Sequence, residues 1–118
     1  MSSRWFTVLL SAFAVAQVLA SPLSTATAGE LSCSAESSLR SRNSNHPMTI
    51  TFVNSSGAYR ALVWIDFQGN KKDYGGMNSG GRKTINTFLT HPWMITDGPG
   101  NCIYVFTPGG NSGTVQLH

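Results

Sequence analysis

Trp64, Tyr74, His91 and Trp93 bring three flat aromatic faces and one imidazole into a single stretch, WIDFQGNKKDYGGMNSGGRKTINTFLTHPW. His91 and Trp93 are two apart, so an extended backbone points both side chains the same way. In ALVWIDF, the alternation of Ala61, Val63, Ile65 and Phe67 reads as the core face of a strand. Trp64 then falls on the opposite face, in step with Asp66. An outward tryptophan, a His-x-Trp pair and Tyr74 beside a glycine-rich loop suggest an aromatic-lined groove. The same residues could equally form a satellite cluster that covers one sheet face.

Other chemistries find less support. The sequence holds no nucleophile elbow, no HExxH and no paired-carboxylate motif. His91 could be drawn as a dyad with Asp66 or Asp97, but nothing in the spacing requires it. No enzyme is therefore expected; a small hydrolase is the least supported alternative. A metal site from His46, His91 and His118 would need three distant segments to converge, and two cysteines are too few for structural zinc. Neither metal nor cofactor is expected. The lysines and arginines are dispersed, with only Lys71-Lys72 and Arg82-Lys83 adjacent, so the basic stripe of a nucleic-acid binder is missing.

The amino-terminal region carries an export pattern. Arg4 precedes an apolar run from Phe6 to Ala20, broken only by Thr7, Ser11 and Gln17, and small residues follow. The run is short for a membrane span, which needs about 20 apolar residues. Residues 1–28 are read as a signal peptide, with cleavage after Ala28 favoured over Ala20. Loss of Arg4 lowers the formal net charge of +3 by one. The expectation is a secreted or periplasmic protein, off the membrane once processed, formed by one domain over 29–118. In an oxidising compartment the only two cysteines, Cys33 and Cys102, are expected to pair. A loop of about 70 residues closed in this way stabilises a small domain by roughly 4 kcal/mol in the chain-entropy model.

The elements that must position the aromatics are short strands. Met48, Ile50 and Phe52 alternate with Thr49 and Thr51, and Asn54-Ser55-Ser56 makes both turn chemistry and a glycosylation sequon. The strand carrying Trp64 meets Gly69-Asn70, a hairpin signal, and Lys71 to Tyr74 is its return. Gly75 to Gly81 holds four glycines and reads as a loop. Arg82–Phe88, His91–Asp97, Cys102–Thr107 and Thr114–Leu117 complete the strands, while the serine-rich stretch 32–45 would pass for a linker. The fold class is all-β, a small antiparallel β-sandwich.

Three blocks, SLRSRNSNHPMTITFVNSS, VWIDFQGNKKDY and TINTFLTHPW, together resemble the β domain of the von Hippel–Lindau tumour suppressor. The resemblance implies an antiparallel sandwich that recognises a 4-hydroxyproline-containing peptide. It implies a pocket at Trp64, Tyr74, Thr87, His91 and Trp93, with threonine in place of the family's serine at 87. A histidine that helps to hold the peptide backbone falls at Asn86, and Pro92 replaces a leucine. The resemblance reaches only the β domain, so no ubiquitin-ligase partner is expected. The functional expectation is a secreted module for proline-rich or hydroxyproline-containing peptide. The alternative is a structural or host-interaction sandwich that has lost the pocket.

Overall fold

The computed structural model describes residues 29–110 and 112–118. The expected signal peptide lies outside them. Two sheets face each other. The larger is built from β1 (Glu30–Leu31), β7 (Cys102–Phe106), β6 (Trp93–Thr96), β3 (Arg60–Ile65) and β4 (Lys71–Met77), in that spatial order. The smaller has β2 (Pro47–Asn54) between β5 (Arg82–Phe88) and β8 (Gly113–Leu117). The architecture is the expected all-β sandwich with one departure: β8 runs parallel to β2. The chain leaves β7 in one sheet and crosses to the other, so β8 arrives in the direction of β2 instead of reversing beside it.

β2 shows why period-2 sequences make such sheets. Met48, Ile50 and Phe52 are buried, while Thr49 and Thr51 point outward and bond across to β5. The Thr49 hydroxyl donates to Asn86 Oδ1 at 3.1 Å, and the Thr51 and Thr84 hydroxyls lie 2.9 Å apart. Phe52 is the centre of the core, 5.8 Å edge-on from Phe106 and 6.4 Å from Trp93. The sequon asparagine at the end of β2 is fully buried. Its side-chain nitrogen donates to the carbonyls of Ala58 (2.7 Å) and Met77 (2.9 Å), so the fold uses the atom a glycan would need.

β3 corrects the expected face assignment. The alternation is real, but Leu62 and Trp64 are the residues that meet the inter-sheet core. Val63 and Ile65 turn to the outer side of the larger sheet, where Leu39, Met94 and Val105 form a second cluster. Both faces of β3 are apolar because both are covered. Phe67 lies beyond the strand. Asp66 Oδ1 accepts the backbone N–H of Gln68 (2.9 Å) and Asn70 (2.8 Å), which bends the chain into the hairpin and ends the alternation.

The glycine-rich loop is also shorter than expected. β4 runs through Gly75 and Gly76 to Met77. The register passes from Ala61↔Gly76 to Val63↔Asp73, so Tyr74 and Gly75 together oppose Leu62 in a β-bulge. Gly75 takes φ +82°, open to glycine and strained for other residues. A Cβ on Gly76 would lie 2.5 Å from the Arg60 carbonyl oxygen and 2.6 Å from Tyr59 Oη. These glycines serve a bulge and a close approach, and only the turn after Met77 is loop.

The serine-rich stretch is tied down. Cys33–Ser38 forms a 3-10 turn, and Cys33 is bonded to Cys102 at the start of β7. The Ser41 N–H then donates to the Asp66 carbonyl, and the Arg40 guanidinium donates to the carbonyl of Gln68. Residues 39–42 thus lie along the end of β3 and its hairpin. Among the described residues no helix is long and apolar enough to cross a membrane.

Candidate functional site

The pairing of β3 with β6 sets Trp64 directly opposite Trp93. The two indoles then part company. Trp93 is 2% exposed and belongs to the main core, whereas Trp64 is half-buried at its margin. Tyr74, aimed by the bulge in β4, closes over both. Its ring stands edge-on to Trp93 at 5.0 Å and to Trp64 at 6.3 Å, and its side chain is 44% exposed at the mouth.

Each indole N–H has a fixed partner. Trp64 Nε1 donates to Ser41 Oγ at 2.8 Å, and that hydroxyl donates in turn to the Ile65 carbonyl at 2.6 Å. Trp93 Nε1 donates to Thr87 Oγ1 at 3.1 Å, across the gap between the sheets. Buried tryptophans need such partners, and here the partners also fix ring orientation.

His91 sits in the turn between β5 and β6, stacked on Trp64 with ring centroids 5.5 Å apart and 27° between planes. Phe67 meets its edge at 5.3 Å and Phe88 tilts against it at 5.2 Å. Burial lowers the His91 pKa below the usual histidine value of 6.5; the Arg42 backbone carbonyl, which favours the protonated ring, offsets part of this. Near neutral pH the ring is therefore uncharged, with one nitrogen that donates and one that accepts.

All six residues singled out from the sequence line one pocket of about 190 Å³: Trp64, Tyr74, Asn86, Thr87, His91 and Trp93, joined by Phe88. Drug-sized ligands occupy pockets of about 300–1,000 Å³, so this one is scaled to a single side chain. No lysine, arginine, aspartate or glutamate lines it. Asn86 differs from the rest. Neighbours on a strand face opposite sides, and its side-chain oxygen is bonded to Thr49 on the exposed face while Thr87 points inward.

Asp66 and Asp97 do not orient His91. Asp66 holds the hairpin, and Asp97 accepts the backbone N–H groups of Gly100 and Asn101 in its own turn. No cluster of three metal-ligating side chains occurs among the described residues. Three contributors escaped the sequence reading. Extending the β3 alternation past Asp66 puts Phe67 on the core face, whereas the Gly69-Asn70 hairpin signal argues that the strand has already ended. Phe88 borders Thr87 and carries an aromatic ring on a strand's last residue. Ser41 falls inside the first block that carries the resemblance, but nothing there ties it to Trp64; only the fold brings the two together.

The arrangement offers flat walls and two hydrogen-bonding groups, and no activated nucleophile. Ser41, the serine beside the cluster, gives its hydrogen to a backbone carbonyl. The VHL beta domain family model matches residues 39–103, a span that contains every pocket residue. No curated protein matches the chain. With the match covering more than half of the sequence, the chain belongs to the VHL beta domain family, a family of peptide-binding β modules.

Proposed function

We propose that the protein is an exported binding module whose aromatic pocket takes the ring of a proline in a peptide and prefers 4-hydroxyproline. Trp64, Tyr74 and Trp93 supply apolar walls for a pyrrolidine ring. One observation carries the preference for the hydroxylated ring. Thr87 Oγ1 already accepts a hydrogen from Trp93, which leaves its own hydrogen free to donate, and the neutral His91 ring can accept. A ligand hydroxyl is both donor and acceptor, so it satisfies the two together. A plain proline would desolvate them without replacing their hydrogen bonds, at about 1–3 kcal/mol for each group.

Calorimetry with matched hydroxyproline, proline and alanine peptides tests the reading. The expected order is hydroxyproline, then proline, then alanine, with about tenfold or more between the first two. Equal affinity for hydroxyproline and proline would remove the hydroxyl reader and leave only the aromatic walls. No binding of any of the three would favour a structural sandwich without a ligand pocket.

A further inference from the structure

Behind Phe67 and His91 lies a second, wider depression of about 550 Å³, lined among others by Leu39, Arg40, Arg42, Phe67, Thr90 and Pro92. Its volume falls within the range of ligand-binding clefts, about 300–1,000 Å³. Leu39 packs into the outer apolar cluster and Pro92 is fully buried beneath, so part of the floor is apolar. The walls are cationic. Neither Asp nor Glu lines the groove. The ion pairs among the described residues are Lys71–Glu36 and His118–Glu30, so Arg40 and Arg42 have no carboxylate partner there.

The groove is held by the same contacts that build the aromatic pocket. Thr90 Oγ1 donates to the Arg42 carbonyl at 2.6 Å, and Ser41, between the two arginines, holds the Trp64 indole. Phe67 is the shared wall. It is 41% exposed, and its ring centroid lies 5.9 Å from that of Trp64 and 5.3 Å from that of His91. An extended peptide advances about 3.3 Å per residue, so about two residues cross Phe67.

We propose that this groove reads an acidic side chain about two to four residues from the bound ring. Peptide backbone and aliphatic stem would lie on Leu39 and Phe67, and the carboxylate would meet the Arg42 guanidinium, with Arg40 beside it. Arginine suits the task because its planar fork matches a carboxylate. The proposal rests on the peptide-binding reading above and adds a sequence requirement to it: the ligand is an acidic proline-containing peptide.

The test is a set of hydroxyproline peptides carrying Glu or Gln at each of these flanking positions, each with an alanine twin at the ring position. They are titrated against the wild-type protein and against Arg42→Gln and Arg40→Gln. Arg42 is the primary variant because its side chain is exposed and its structural contact runs through its backbone. At one or more positions the Glu peptide should bind about three- to tenfold more tightly than its Gln twin, and the advantage should shrink with added salt. Arg42→Gln should abolish that difference while thermal melts stay unchanged. Equal affinity of every Glu and Gln pair, with alanine at the ring still destroying binding, would overturn the groove proposal and leave the pocket reading intact. An acidic preference that survives both arginine variants would also overturn it. Affinity that depends on neither the ring nor the acid would reject both readings together. Binding of polygalacturonate that Arg42→Gln removes, without any Glu over Gln preference, would overturn it in favour of an acidic glycan.

Discussion

The Trp93 indole donates to the Thr87 hydroxyl at 3.1 Å, and this one bond joins β6 of the larger sheet to β5 of the smaller. Both residues are almost completely buried, Thr87 with 4% exposure. The bond therefore serves the fold and the pocket at once. It ties the two sheets together beside the pocket and leaves the threonine hydrogen free to donate.

Replacing Thr87 with Val keeps the shape and removes the acceptor. The buried Trp93 N–H is then unpaired, which should destabilise the protein by about 1–3 kcal/mol. Hydroxyproline preference should fall in the same variant, whereas Thr87→Ser should retain both properties. Denaturant melts beside paired-peptide calorimetry give the two readings. Wild-type stability in Thr87→Val would show that Trp93 finds another acceptor.

Trp64→Ala should remove ring binding and also destabilise the fold, because the indole packs against the main core and stacks on His91. Full truncation of a core tryptophan costs about 3–5 kcal/mol, and a half-buried one should fall at or below the low end. Trp64→Phe keeps a smaller flat wall and loses the bond to Ser41, for about 1 kcal/mol, together with part of the packing on the core and on His91. A melt unchanged by Trp64→Ala would mean that the ring makes no contribution to the core.

Gly76→Ala should be among the more damaging single changes, since the added carbon meets backbone atoms of Arg60 and Ala61 that cannot swing away. Overpacking of this kind costs about 1–3 kcal/mol. It should also displace Tyr74 from the pocket mouth, read as a change in tyrosine and tryptophan fluorescence on peptide titration. Gly98→Ala, where the nearest atom is 4.0 Å away, is the matched control.

Acid should weaken both stability and hydroxyproline binding through His91. Its folded pKa is depressed by burial, so on acidification the unfolded chain takes up the proton first. The His91 contribution is whole above about pH 6.5 and is lost as pH falls from there through the lower folded value. Protonation also removes the nitrogen that accepts the ligand hydroxyl. His91→Gln should flatten this part of both profiles, measured by melts and calorimetry between neutral pH and pH 5.

Reduction of Cys33–Cys102, or Cys102→Ala, should lower stability by roughly 4 kcal/mol, the value of a closed loop of this length in the chain-entropy model. Intact mass with and without reductant confirms the bond, and a melt under each condition gives its effect. Two alkylatable thiols in the native protein would contradict the pairing.

Local pattern was enough for much of this protein. Alternation locates β2 and β3, Gly69-Asn70 locates the hairpin from β3 to β4, and two cysteines in an export-patterned chain allow one partner each. Resemblance pointed to Trp64, Tyr74, Asn86, Thr87, His91 and Trp93, and the fold lines one cavity with them. What the sequence by itself could not decide is which face of β3 meets the second sheet. Ala61, Val63 and Ile65 alternate with Leu62 and Trp64, and both sets are apolar, because one side packs on the smaller sheet and the other lies under residues 39–42. Periodicity reports that two faces differ and is silent on what covers each. The same limit hid Ser41, the bulge at Tyr74–Gly75 and the outward turn of the Asn86 amide. Each of these is set by a partner distant in sequence, so only the tertiary structure could supply it.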